Sequence, residues 1–301
     1  MTKRLCTVVC VALLLVVTAC SSPAASTPTS APASSTAPAA APTAPETASQ
    51  AADTTAQPEA TVSESVPQTG VITVGIDPSF EPFVFVKDGK LAGFDVDLLN
   101  AMAADGDFEV AYVVSSFDEI FQGLQSGKYD AAISAITVTE DRKALVDFTA
   151  PYFETGNAPV SFYNPGQGIA IRTDNTTITG LDNLTVGVRV AVKKGTTGAT
   201  FAAENTSAEI VEFADSPAAL DALAAREVDA VIVDIPVIVG YIKNHPGAGV
   251  RITGGPVTDE AYAIAVSKAR PEVLAMLDTA LANVQAGDQY KRIFSRWFGS
   301  P

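Results

Sequence analysis

The chain has 301 residues, 34 of them acidic and 19 basic, for a formal charge of −15 with its one histidine neutral. That balance argues strongly against a nucleic-acid partner, because phosphates are bound by basic faces. All three cysteines, Cys6, Cys10 and Cys20, fall in the first 20 residues. A disulfide framework and a cysteine-held metal are therefore excluded from the rest, the lone His245 in the turn-like string NHPGAG makes no histidine metal site or catalytic pair, and no metal or cofactor is expected.

Lys3 and Arg4 precede an apolar run from Leu5 to Ala19, the form of a secretory leader (residues 1–20). The run falls short of the roughly 20 apolar residues that span a bilayer. The string VTAC resembles the bacterial lipobox, which implies diacylglyceryl transfer to Cys20, cleavage before it and a lipid anchor on the outer side of the cell membrane. Two or more acyl chains hold a protein stably where one holds it marginally. In residues 21–70, 40 of 50 are Ala, Pro, Ser or Thr. Too little apolar surface is available there to fold, so the segment is expected to be a disordered tether with a reach of about 40 Å.

From residue 71 the texture changes. VITVGI (71–76) reads as a strand, DVDLLNAMAAD (95–105) as a helix and FEVAYVV (108–114) as a second strand. Ser116 and Glu119 form a capping-box pattern ahead of Phe117, Ile120, Phe121 and Leu124, and Gly127 ends that helix. YDAAIS (129–134) reads as a third strand. The same βαβαβ order returns in VGVRVAV (186–192), GATFAAEN (198–205), AEIVEF (208–213), a helix capped by Ser216 with Pro217 in its first turn, and VDAVIV (228–233). At an offset of 99 residues YDAAIS lies on VDAVIV. The expected fold is α/β, with two lobes, each a mostly parallel sheet.

Ligands of open parallel sheets sit beyond the carboxyl ends of the strands. That rule selects Asp77 to Phe80, Ala135 to Arg142, Lys193 to Thr197, and Asp234, two places from each lobe. Arg142, Asp77, Asp234, Lys193, Lys194, Thr137 and Phe80 together suit a small zwitterion.

The strings ITVGIDPSFEPF, LAGFDVDLLNAMA, LQSGKYDAAISAITVTEDR, VDFTAPYF, VAVKKGTTG, VDAVIVD and YKRIFSRWFG, in this order over residues 71–299, resemble the family 3 extracellular solute-binding proteins, the polar amino-acid receptors of ABC importers. The resemblance implies a monomeric two-lobed clamp. One lobe would comprise residues 71–160 and 254–301 and the other residues 161–253, with crossovers near 160–165 and 253–258. Its partners would be an amino acid and the permease subunits in the membrane. Arg142 matches the family arginine on the ligand α-carboxylate, with Thr197, beside Thr196 in the GTTG turn, assisting. Asp234 matches the aspartate on the α-ammonium, shared with the Ala135 carbonyl and the Thr137 hydroxyl. Phe80 matches an aromatic that packs on the ligand, and Asp77 lies where side chains are read. The family often has serine at positions 135 and 137. Lys193 stands where glutamine-binding relatives place a ligand-contacting lysine, which favours glutamine or asparagine, or glutamate or aspartate. Asp77 favours a ligand side chain that donates, so the amides lead.

Each of these residues also has a plainer reading. Asp234 is a good helix cap, Asp77 a turn residue before Pro78, and Arg142 a solvated helix charge. Phe83 reads as core, one lysine of the 193–194 pair at most as cleft-facing, and Tyr290, Ile293, Phe294 and Trp297 as a packing stripe. The reading is a receptor and not an enzyme. Two rivals stand beside it: a cyclohexadienyl dehydratase, as in a few relatives of this fold, and a sensing ectodomain read by a membrane partner.

Overall fold

The computed structural model describes residues 70–154 and 165–299, so the leader, Cys20, the tether and most of the first expected crossover lie outside the described residues. In chain order, β1 (Val71–Ile76) leads to a ribbon of β2 (Ser79–Phe80), β3 (Val84–Lys87) and β4 (Lys90–Ala92). Then come α1 (Phe94–Gly106), β5 (Glu109–Val114), a 3-10 turn at Phe117–Glu119, α2 (Ile120–Gln125), β6 (Ala131–Ala132), α3 (Glu140–Leu145), β7 (Asp147–Phe148) and β8 (Phe153–Glu154). The second half holds β9 (Gln167–Arg172), β10 (Arg189–Lys193), α4 (Thr197–Asn205), β11 (Glu209–Phe213), α5 (Ser216–Ala224), β12 (Ala230–Asp234), α6 (Ile235–Asn244) and β13 (Val250–Thr253). The chain returns through β14 (Ala261–Tyr262), β15 (Ala265–Val266), α7 (Pro271–Ala286) and α8 (Asp288–Phe298).

Two five-stranded sheets result, ordered β5-β1-β6-β15-β7 and β11-β10-β12-β9-β13. In each, the first three strands are parallel and the fourth is antiparallel. The internal repeat is real at this level: Ala131 of β6 pairs with Val74 and Ala230 of β12 pairs with Val190. Strand β12 is buried along its whole length because it has a neighbour on each edge, which is why it reads as an unbroken apolar run. The first sheet takes its fourth strand, and the helices α7 and α8 that pack on α1, from the end of the chain.

An aromatic cluster underlies the first sheet's ligand end. Phe83 lies 5.1 Å from Phe153, 5.3 Å from Tyr262 and 5.3 Å from Phe298 between ring centroids. The stripe on α8 packs as expected, with Phe294 fully buried and Trp297 against Phe85 at 5.7 Å. His245 is exposed and stacks on Tyr241.

Three local expectations are corrected. The capping box does not form, because a 3-10 turn gives the Glu119 N–H to the Ser116 carbonyl at 3.1 Å and leaves the Ser116 hydroxyl without a capping bond. The cap of α5 is Asp215, whose carboxylate accepts from the Ala218 N–H at 2.7 Å, while the Ser216 hydroxyl is buried without a partner. A carboxylate is the stronger acceptor at a helix start, where it also meets the favourable end of the dipole. Strand β6 has two residues where six were expected, and three residues beyond it Ala135 turns the chain with a φ of 47°.

Candidate ligand-binding site

The carboxyl ends of β1, β6, β10 and β12 converge. One small cavity is lined by Phe80, Phe117, Ser134, Ala135, Thr137, Arg142, Lys193, Thr196, Thr197 and Asp234. Eight of the residues selected from the sequence are on that wall. Asp77 is not among them and stands behind Lys193. The cavity measures about 10 Å³, room for about one water, so the walls are closed on one another. A larger cleft of about 440 Å³ shares Thr137, Arg142, Thr196 and Thr197 with it and opens past Thr200 and Glu204.

Arg142 is on α3, whose start is fixed by the Thr139 hydroxyl accepting the Arg142 N–H at 3.2 Å. Its guanidinium donates to the Thr137 carbonyl at 2.8 Å and to the Gly195 carbonyl, across the two sheets, at 3.4 Å. It lies over the faces of Phe117 and Phe121, 5.3 and 5.1 Å from their centroids, and is 8% exposed. Burial lowers its pKa, while Glu260 and Asp234 raise it. The solvated-charge reading of Arg142 is therefore wrong.

Asp234 ends β12 and starts α6, yet its side chain makes no capping bond. It accepts instead from the Tyr262 hydroxyl. Burial, and then Glu260, push its pKa up to about 7, against the hydrogen bond from Tyr262. Thr196 caps α4, accepting from the Ala199 N–H at 3.3 Å, and donates to the Lys193 carbonyl at 2.7 Å. Thr197 donates to Glu260 at 3.3 Å and accepts from Gln167 at 3.2 Å.

Lys193, at the end of β10, reaches the first sheet. Its Nζ donates to Asp77 Oδ2 at 2.5 Å and to Ser79 Oγ at 2.8 Å, and sits 5.5 Å from the Phe80 and 5.3 Å from the Phe117 ring centroids. Asp77 is held from behind, its N–H donating to Ser134 Oγ at 2.8 Å. Lys194 is exposed and pairs with Asp118 at 2.8 Å, so one lysine of the two faces the cleft.

Sequence reasoning missed Glu260, Gln167, Tyr262, Phe117 and Ser134 as site residues. Glu260 accepts from Thr137 at 2.5 Å, Gln167 at 3.0 Å and Thr258 at 3.1 Å, tying the segment after β13 to both sheets. Phe117 was visible only as one apolar residue of a helix face. Among the described residues no cluster of His, Cys, Asp and Glu has the geometry of a metal site, and no helix is long and apolar enough to cross a membrane.

Buried, facing anion- and cation-binding groups in one cavity can hold both ends of a zwitterion. The probable histidine-binding protein of Neisseria gonorrhoeae is 31% identical over 233 residues, 76% of this chain and 83% of that one. The ABC transporter glutamine-binding protein GlnH of Bacillus subtilis is 30% identical over 216 residues, 70% of this chain and 74% of that one. Solved structures of an ancestral arginine-binding protein, bound to arginine and to glutamine, superpose with TM-scores of 0.69 and 0.68 at 36% identity. They cover 76% and 77% of this chain and 99% of theirs. The model of the bacterial extracellular solute-binding proteins, family 3, matches residues 72–300, and the chain belongs to that family.

Proposed function

We propose that the protein is the receptor of an ABC importer for a polar amino acid, capturing it by closure of the two lobes and delivering it to the permease. The observation that carries this reading is the placing of Arg142 and Asp234, buried and from different lobes, on the wall of one cavity. A guanidinium pairs with an α-carboxylate in two parallel hydrogen bonds, and the ionised Asp234 accepts an α-ammonium. The start of α4 at Thr196 and Thr197 adds free amides beside the carboxylate.

The ligand side chain would meet Lys193 on the cavity wall, and Asp77 where it displaces that lysine from its pair. A neutral amide can accept from one and donate to the other, so glutamine and asparagine fit better than the acids. A cationic side chain, as the histidine- and arginine-binding names of the relatives suggest, would have to displace the Lys193 ammonium. Calorimetric titration of the refolded, ligand-stripped protein with the twenty L-amino acids tests the reading. Binding of one or a few at micromolar or tighter supports it, and silence from folded protein sinks it.

The lobes would turn about the segments near 160–165 and 253–258. Cys20 would carry the lipid, holding the monomeric head on its tether outside the cell membrane. Labelled fatty acid should be incorporated into the wild type and not into Cys20→Ala, and equal labelling of the two would refute the anchor.

A dehydratase reading has one observation in its favour, a carboxyl with a pKa of about 7 beside a second carboxylate, Glu260, which suits proton transfer near neutrality. Incubation with prephenate or arogenate decides it, and no aromatic product is expected.

A further inference from the structure

Asp95, the second residue of α1, is wholly buried and belongs to no part of the clamp described above. Its Oδ2 accepts the backbone N–H of Ala135 at 2.8 Å. Its other oxygen, and the hydroxyl of the neighbouring Tyr152, are buried without a well-formed hydrogen bond. A carboxylate so fully buried, with no cation beside it, is unfavourable. What it holds in exchange is one peptide unit of the cavity wall.

That peptide is unusual. Four described non-glycine residues have positive φ: Asp88, Asp107, Arg226 and Ala135. The first three are exposed at turns or helix ends, and only Ala135 is buried. An L-residue resists the left-handed region because Cβ crowds the following carbonyl, so something must fix it there. The neighbouring groups are already tied: Ser134 Oγ to the Asp77 N–H, the Ile136 carbonyl to the Ala263 N–H at 3.1 Å, and the Thr137 carbonyl to Arg142. The Ala135 carbonyl accepts from no described residue. Ala135 lines a cavity whose wall also carries Asp234, and a free carbonyl beside a carboxylate attracts a donor bearing positive charge.

We propose that Asp95 is a positioning residue for the ligand ammonium: by taking the Ala135 N–H it keeps Ala135 left-handed, which leaves the Ala135 carbonyl available to that ammonium. This rests on the amino-acid-receptor reading, and it assigns to a residue outside the cavity a share of the recognition of the α-amino group. Burial raises the Asp95 pKa to about 7, offset in part by the Ala135 N–H and then by the Tyr152 hydroxyl, in keeping with a carboxylate retained for these contacts.

The test compares two ligands on the full protein: whichever of the twenty L-amino acids the wild type binds most tightly, and the same compound lacking its α-amino group. Asp95→Ala should raise Kd for the amino acid about tenfold or more, and for the deaminated compound less than about threefold. Adding Ala135→Gly to Asp95→Ala should recover most of the loss, since glycine enters the left-handed region freely. Asp95→Asn should bind within about threefold of wild type, because its side-chain carbonyl still accepts the amide. Equal losses for the two ligands, or an unchanged Kd in Asp95→Ala, would overturn the proposal. If Asp95→Ala does not fold, the isosteric Asp95→Asn decides alone, and a tenfold loss there overturns it. Failure of folded wild type to bind any amino acid would instead overturn the receptor reading, and this one with it.

Discussion

The Lys193 ammonium and the Asp77 carboxylate, 116 residues apart in sequence, meet at 2.5 Å across the two sheets, with side chains 2% and 8% exposed. Removing one member of so dry a pair strands the other. Lys193→Met is expected to destabilise the closed form by about 3 to 5 kcal/mol, read as a lowered denaturation midpoint. The same variant should shift preference towards arginine and lysine over glutamine, by about tenfold or more in competition titrations, because Asp77 then lacks its own cation. Lys194→Ala, which removes the exposed pair with Asp118, should leave Kd within about threefold. Unchanged selectivity in Lys193→Met would remove Lys193 from the reading of the side chain.

Arg142→Ala should weaken amino-acid binding by about 2 to 5 kcal/mol, because the ligand carboxylate would be buried without its partner. Arg142→Lys should recover only part, since a point charge cannot make the two-pronged contact. Isothermal titration of the three proteins with one amino acid gives the comparison.

Two carboxyls make stability and binding respond to pH in opposite senses. Asp95 and Asp234 have pKa values raised to about 7, in both cases mainly by burial. Between about pH 4 and pH 7 these two groups therefore hold more protons in the folded protein than in the unfolded chain, and their contribution to stability falls as pH rises. Binding an ammonium needs Asp234 ionised among Glu260, Tyr262, Gln167 and Arg142, so affinity should fall as pH drops below 7. Thermal scans should show the ligand-free Tm rising from pH 8 to pH 5 while the shift caused by saturating amino acid shrinks. A shift that grows towards pH 5 would contradict the role of Asp234.

Gly93 precedes α1 with φ 133°, and a Cβ there would lie 2.0 Å from the Phe83 carbonyl oxygen. Gly93→Ala should cost about 3 kcal/mol or more. Gly127 also has positive φ, 72°, but open space around it, so Gly127→Ala should cost about 1 to 2 kcal/mol. Urea denaturation of the two variants separates backbone strain from collision.

What could be read from the sequence was what repeats. The strand-helix alternation located β1, β5, β10, β11 and β12, and the rule of strand ends found Asp77, Ala135, Arg142, Lys193 and Asp234 because parallel strands put their last residues on one edge. The antiparallel strands escaped, since β9 and β15 join the sheets out of sequence order and carry no turn signal that says so. Gln167 and Glu260 escaped with them. An isolated glutamine on a strand or a glutamate in an acidic TDEA string looks solvated until the two sheets enclose it. Ser216 was chosen over Asp215 because two good capping residues stand side by side, and only the backbone at residue 215 separates them.

The order in which the sheets recruit their strands bears on how the chain acquires its shape. All five strands of the second sheet lie in the unbroken stretch from Gln167 to Thr253, so that sheet can assemble from contiguous chain. The first sheet cannot: β15, between β6 and β7, arrives more than 100 residues after β7, and the helices backing α1 arrive later still. Closing that loop carries an entropy that local pairing does not repay. A chain cut after Thr253 would keep every strand of the second sheet and leave the Ala132 and Phe148 edges of the first without the strand that joins them. During synthesis or export from the amino terminus, the half that begins first is the half completed last.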